Sequence, residues 1–494
     1  MPTFNSKDAA NSGSANRAST PPRSVVISKP PSIKARGIND VLEHLRILKT
    51  LNIHLVKNTP ILDNFYKLVI GTVDTRLRPL SIIPLPIPRK PRQIIRNLQE
   101  ALETLAEILL LPAAGKNDIS PLALWRILHL LSRHLLISSL TAAPPGTGIW
   151  RNLHRTYALA IRQGITQTIP GGAACSLEEE YYAAVLLGCA QPMSFTGREV
   201  MFLDAYLGYF SELIDICRGR PGESPAMFWI NPESDEPATP YSRKPPAPDT
   251  LVYGFSCHRL ASLLEKQLAA LEIGTPPEQL NLSSFAAKPA GLGVLARLLR
   301  LWGNPGKRRF PRRTQNHRCK LCLGFSNLHR LYSAEPQAVD TSVWMITTES
   351  PDGYTVMHIS GKTRSIKVGD VVALRTETGD SWQLCIIRWA LSENQEHIEL
   401  GLQILSSRAY AAEIALPEKT AEEASFRPVL VLPATTSSSL RSNEALLVPS
   451  GVLTESSENL VLVVARNNVK VREISTVQCD ERNGMVEMFE IVTR

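Results

Sequence analysis

The sequence predicts a multidomain α plus all-β protein, an N-terminal helical-hairpin domain followed by small β units. Two observations carry this. Up to about residue 302, apolar positions recur at helical spacing between clear start and stop signals. From Lys307 onward nearly every apolar run is short, alternating or β-branched, and is punctuated by Gly, Asn, Asp and Ser, the pattern of barrels and sandwiches. Composition agrees: 494 residues, 44% hydrophobic and 20% charged, are close to the globular average and long enough for several cores. A wholly disordered, collagenous or coiled-coil chain is excluded.

Residues 1–36 are polar, Pro/Ser/Lys-rich and poor in aromatics, so they read as a disordered tail unable to offset its ordering entropy. Residues 37–302 read as a mainly helical domain. Pro91 opens a helix whose Ile94, Ile95, Leu98, Ala101, Leu102, Leu105 and Ile108 keep one face. Ser120-Pro121 opens the next, and Trp150, Leu153, Tyr157 and Ile161 mark another that Gly164 can close in a left-handed conformation. Ser176 with Glu179, and Thr196 with Glu199, fit the capping box. Between Ser224 and Pro248 the chain turns Pro-rich and acidic, flanked by Met227–Ile230 and Leu251–Phe255, which predicts a short strand pair joined by a long loop. Helical spacing returns at Leu260, Leu263, Leu264, Leu268 and Leu271, and at Val294–Trp302.

The β region contains strand-like runs at Trp344–Ile346, Val371–Leu374, Leu384–Trp389, Leu400–Leu405, Val429–Leu432, Leu460–Val464 and Val469–Ile474. We divide it into a barrel unit over 303–410, a linker over 411–425 and a C-terminal β domain over 426–494.

Several motifs imitate chemistry. Pro144-Pro145-Gly146-Thr147-Gly148 suggests a phosphate loop, but Ile149 stands where its lysine is required, so a helix-start loop is the better reading. Gly291 and Gly293 are a lone GxG. Cys319 and Cys322 with His317 and His329 could supply zinc ligands, yet the other cysteines are isolated, and small core residues on a strand explain the pair more simply. No nucleophile triad, paired carboxylates or HExxH stands out. The sequence therefore predicts no enzyme, no metal site and no cofactor. Eight scattered cysteines suit a reducing compartment. With neither a signal-peptide run in the first 24 residues nor an uncharged span of membrane length, we expect a cytoplasmic protein.

The strongest signal is the segment Lys307-Arg308-Arg309-Phe310-Pro311-Arg312-Arg313-Thr314-Gln315-Asn316-His317-Arg318-Cys319-Lys320, with seven basic side chains and no acidic one. It reads as a positive arm between the helical and β regions. Guanidinium groups suit planar, bidentate acceptors such as phosphate oxygens or the O6/N7 edge of guanine. Arg308 and Arg312 form an RxxxR spacing, and Arg309 and Arg313 form a second; in an extended segment residues four apart point the same way. The chain then runs through Thr348-Glu349-Ser350-Pro351-Asp352-Gly353, Val368-Gly369-Asp370, Ile387-Arg388-Trp389 and Leu400-Gly401-Leu402.

In this order the motifs resemble the PilZ domain of bacterial cyclic di-GMP receptors, over roughly residues 305–408. The resemblance implies a six-stranded antiparallel barrel and a non-enzymatic receptor in second-messenger signalling. Carried over residue by residue, it implies that Arg308 and Arg312, with Arg309 and Arg313 as the alternate register, hold guanine edges and phosphates. Ser350 and Gly353 fit the (Asp/Asn)xSxxG motif. Thr348 departs from it, lacking the paired acceptor that a carboxylate offers guanine, and Asp352 lies close by but off register. The C-terminal β domain is read as a degenerate barrel of the same type on strand count alone.

The alternative is a ligand-independent scaffold with a degenerate barrel. In either case the helical domain is where a protein partner is expected. Nucleic acid is disfavoured by where the charge sits. The net charge is +8, residues 1–36 contribute +5 and residues 307–320 contribute +7, leaving the rest of the chain at −4. Positive charge concentrated in one short arm suits a compact anion rather than a coated polymer.

Overall fold

The computed structural model describes residues 37–50, 59–110, 119–219, 222, 224–307, 309–363, 365–393, 397–416, 426–434, 443–453, 457, 460–465 and 469–493. The expected tail, residues 1–36, and Arg308 lie outside them. Helices α1 (Ile38–Thr50), α2 (Thr59–Leu80), α3 (Arg89–Leu110), α4 (Pro121–Leu140), α5 (Ile149–Gln163), α6 (Leu177–Cys189) and α7 (Gly197–Phe210) open the fold.

Local signals set their ends. The Ser120 hydroxyl accepts from the Ala123 amide at 3.2 Å with Pro121 in the first turn. Both capping boxes form, at Ser176/Glu179 and Thr196/Glu199, and Gly164 closes α5 at φ +68°. Helix α3 begins at Arg89, two residues ahead of the expected Pro91. Its Ile94 is exposed, so the buried stripe starts at Ile95. Helix α4 buries leucines and isoleucines on every face and packs against α2, α3, α5, α6 and α7. Its hydrophobicity is that of a central core helix. No described helix is long and apolar enough to cross a membrane.

Instead of one strand pair, a four-stranded sheet follows. It runs in the order β1 (Cys217–Arg218), β4 (Tyr253–Ser256), β2 (Met227–Ile230), β3 (Thr239–Pro240). The anticipated pairing of β2 with β4 is its centre, with Phe228 opposite Phe255. The flanking two-residue strands are too short to leave a period in sequence. Then come α8 (His258–Glu272), α9 (Pro289–Leu298) and a π-helical turn, Leu299–Gly303, that buries Trp302.

The first barrel comprises β5 (Arg313–Leu323), β6 (Thr341–Ser350), β7 (Gly353–Ser360), β8 (Val371–Thr376), β9 (Gln383–Ser392) and β10 (Ile398–Ser406), with α10 (Phe325–Leu331) after β5. It closes in the order β10-β7-β6-β5-β8-β9. Its core holds Cys319, Leu321, Trp344, Ile346, Tyr354, Val356, Leu374, Ile387, Leu400 and Leu402.

The second barrel also closes with six strands. They are β11 (Tyr410–Ala415), β12 (Phe426–Leu432), β13 (Ala445–Pro449), β14 (Leu460–Ala465), β15 (Val469–Arg482) and β16 (Val486–Thr493), in the order β11-β12-β13-β16-β15-β14. Residues 411–415, expected as linker, are therefore strand; 417–425 lie outside the described residues. Three alanines hide this strand from propensity, but Ala412 and Ile414 point into the second core.

Between the barrels lies a separate apolar layer. Cys322, Val371, Ala373, Leu384 and Ile386 of the first barrel meet Leu430, Leu432, Ala445, Leu447, Val486 and Met488 of the second. Strands β8 and β9 are thus buried on both faces, which explains their unbroken apolar runs. Cys319 faces the first core and Cys322 this layer. The CxxC pair sits on opposite sides of β5, as small core residues.

Candidate functional site

Side chains alternate along a strand, so with Ile346, Val356, Leu400 and Leu402 in the first core the intervening positions form an outward face. Two register rows cross it. Thr348 pairs with Thr355, Thr355 with Gly401 and Gly401 with Trp389; one step along, Ser350 pairs with Gly353 and Gly353 with Gln403. The turn motif, chosen by sequence spacing, therefore shares a surface with residues about 50 positions later.

Trp389 shapes this surface. A Cβ added at Gly401 would lie 1.8 Å from the Trp389 Nε1, so the indole lies across the glycine, half-exposed. Gly353 has a similar cause. A Cβ there would come within 2.0 Å of the Leu402 carbonyl oxygen. The motif's glycine is required by the close approach of β7 to β10.

The arm reaches the same face. The Arg312 Nη1 donates to the Thr355 Oγ1 at 2.8 Å, and the Thr348 hydroxyl donates to the same oxygen at 2.9 Å. Arg313 stands opposite Glu349 at the start of β5, and Arg309 lies over the Phe310 ring, 5.5 Å from its centre. Both are exposed. Among the described residues, Arg312 is the candidate arginine whose side chain is seen bonded to the barrel. Ser350 is buried, donating to the Asp352 Oδ1 at 2.6 Å with the Gly353 carbonyl 3.2 Å away. Asp352 thus accepts one hydrogen bond within its own turn, through Oδ1.

Beside this face opens a cleft of about 470 Å³ where the helical region meets both barrels. The root of the arm lines it: the Pro305 carbonyl accepts from the Ser242 hydroxyl at 2.8 Å, and that of Gly306 from the Arg243 Nε at 3.2 Å. Arg388 joins the cleft to the site. Its Nε donates to the Gln403 Oε1 at 2.6 Å and its Nη1 and Nη2 to the Glu481 carboxylate at 2.8 Å each. Burial would raise the Glu481 carboxyl, but the hydrogen bonds and charge of Arg388, with help from Asn483 and Arg297, hold it below its usual range. Nearby, Asp370 accepts from the Val371 amide at 2.9 Å, yet burial pushes its carboxyl up to about 6.

The motif reading quoted Arg388, Trp389 and Gly401 as strand positions without giving them a place on this face, and it singled out neither Thr355 nor Gln403 for it. One signal was legible: a glycine and a tryptophan in successive strands, as a small residue paired with a large one. The phosphate-loop imitation is explained too. Gly148 caps α5 at φ +91°, and its amide and that of Arg151 donate to the Asp235 carboxylate. A side chain holds the place an anion would take at that helix end.

Comparison with known proteins follows this layout. Residues 34–221 match the family described as the N-terminal domain of the cyclic-di-GMP receptor FimW. Residues 227–343 and 335–410 match the family described as its middle PilZ domain, a stretch that takes in β2, β3 and β4 of the four-stranded sheet, α8 and α9 along with the first barrel. A curated relative, the cyclic-di-GMP receptor FimW of Pseudomonas aeruginosa, is 21% identical, with 70% of each chain covered. Because the matched units follow one another along the chain as the helical region and the first barrel do, the chain belongs to the bacterial PilZ-domain family.

Proposed function

We propose that this protein is a non-enzymatic cyclic di-GMP receptor whose ligand sits on the outer face of the first barrel. The observation that carries the reading is the Arg312–Thr355 bond beside Thr348, since it brings the arm onto the strands that carry the turn motif. Arg309, Arg312 and Arg313, with Arg308 from outside the described residues, supply forked donors for guanine O6/N7 and phosphate oxygens. Ser350 and Gly353 shape the turn. Trp389 offers a half-exposed ring on which a guanine can stack. Binding moves Arg312 from Thr355 to the ligand and so shifts the arm on the barrel, which changes how the helical region and the second barrel are presented. A messenger made inside the cell calls for a cytoplasmic site.

Titration calorimetry tests this on the wild type beside Arg308→Ala/Arg312→Ala. We expect binding in the wild type, weakened tenfold or more in the variant. An absence of heat in the wild type at roughly 100 μM ligand, where even a weak ~10 μM site would be occupied, removes the proposal.

A second reading has one observation in its favour: the Ser350 hydroxyl is spent on Asp352 and Thr348 is neutral. On that reading the barrel is a ligand-independent scaffold and the helical domain binds a protein. A pull-down recovering the same partner with and without the dinucleotide, and from the arginine variant, selects it.

A further inference from the structure

The cleft next to the barrel face contains an arginine cluster of which Arg388 alone lies in the motif runs. Arg243, Arg297, Arg300 and Arg388 line it, with Glu481 as its acidic side chain. Two of these guanidiniums each make three hydrogen bonds within the protein. Arg297 donates to the Gly293 carbonyl, the Ser194 carbonyl and the Glu199 carboxylate at 3.2, 2.7 and 2.6 Å. Arg388 spends all its bonds on Gln403 and Glu481. Arg243 is tied to the Gly306 carbonyl.

Arg300 differs. It comes from the π-helical turn, its side chain is accessible from the cleft, and among the described residues no hydrogen bond to its guanidinium is seen. Burial among its neighbours, and then repulsion from Arg388 and Arg297, lower its pKa against the opposing pull of Glu481. The turn therefore holds an accessible cation beside two others in one cleft, a concentration of positive charge that a bound anion would neutralise.

We propose that the cleft is a phosphate subsite, held by Arg300 with Arg243 and Arg388, and that Glu481 is its internal competitor. The inference rests on the receptor reading, because Gln403 and the root of the arm join the cleft to the barrel face. A phosphate entering the cleft draws Arg388 from Glu481 and so reports occupancy to the second barrel. The phosphate is that of the bound dinucleotide or of a separate small phosphate compound; the two share the same chemistry at Arg300.

Calorimetry of the full chain with cyclic di-GMP and, separately, inorganic pyrophosphate tests it on the wild type, Arg300→Gln, Arg300→Lys and Glu481→Gln. Because Arg300 makes no hydrogen bond among the described residues, Arg300→Gln should melt within a degree or two of the wild type, which circular dichroism checks. We expect Arg300→Gln to weaken cyclic di-GMP about tenfold, Arg300→Lys to recover part of that, and Glu481→Gln to tighten binding several-fold. A purely structural role would not yield that tightening. If pyrophosphate alone responds to Arg300→Gln, the subsite stands and takes a separate anion. If the wild type binds cyclic di-GMP and neither ligand responds to Arg300→Gln, the subsite is overturned while the receptor reading survives. If the wild type binds neither ligand, both fall.

Discussion

The Arg312 guanidinium donates to the Thr355 hydroxyl at 2.8 Å, which places the arm beside the position at which the (Asp/Asn)xSxxG motif calls for Asp or Asn. Here that position is Thr348, itself bonded to Thr355. Thr348→Asp should therefore supply the paired acceptor for a guanine N1–H and N2–H2 edge. We expect cyclic di-GMP affinity to rise tenfold or more, since a single charge-assisted hydrogen bond contributes about 1.5 kcal/mol or more. An unchanged dissociation constant would mean that guanine does not lie at this position.

Gly353 and Ser350 belong to one motif but should separate in experiment. A methyl at Gly353 collides with the Leu402 carbonyl, so Gly353→Ala should destabilise the barrel by about 1–3 kcal/mol, seen as a lower Tm without ligand. Ser350→Ala loses a bond inside its own turn and should cost about 1 kcal/mol or less. A Gly353→Ala variant as stable as the wild type would show that β10 yields.

Trp389 is half-exposed, and its indole covers Gly401. Trp389→Ala should lower the Tm through the packing lost over Gly401 and, in the folded variant, weaken the dinucleotide by about 1–3 kcal/mol, the range for loss of one base–aromatic stack. Quenching of tryptophan fluorescence by ligand should diminish in the same variant. Wild-type affinity in Trp389→Ala would remove the stacking role.

Opposite pH responses are expected in the two halves. In the first barrel, burial raises Asp370 from 3.8 to about 6 against the pull of the Val371 amide and Lys367. The folded state then binds the proton more tightly than the unfolded chain, so stability from this group grows as pH falls through 6 toward 4. Asp370→Asn should remove that slope and add about 2–3 kcal/mol at pH 8. In the helical domain, burial lowers His134 and His154 from 6.5 to about 4. Their contribution is full above pH 6.5 and is lost as pH falls toward 4. Amide exchange resolved by segment, at pH 7.5 and 5, should show α4 and α5 losing protection while β8 and β9 keep theirs. Uniform loss would contradict both assignments.

Sequence by itself determined what depends on neighbours within a few residues. The capping boxes at Ser176 and Thr196, the Gly164 closure and the strand runs of both barrels are all set by local hydrogen bonding and side-chain period. So are the arginine arm and the Ser350–Gly353 turn. Residues 411–415 escaped, because three alanines carry no strand propensity and their burial depends on a partner strand.

Tertiary structure alone decided what the registers and interfaces make. Thr355, Gly401 and Trp389 join Thr348 only because three strands pair in one register, and a one-residue slip would turn each of them into the core. Arg300, Arg388 and Glu481 share a cleft only because the helical region and the second barrel both close on the first. Basic residues in the chain announce an anion; the packing of three units, which no local period encodes, selects the arginines that can meet it.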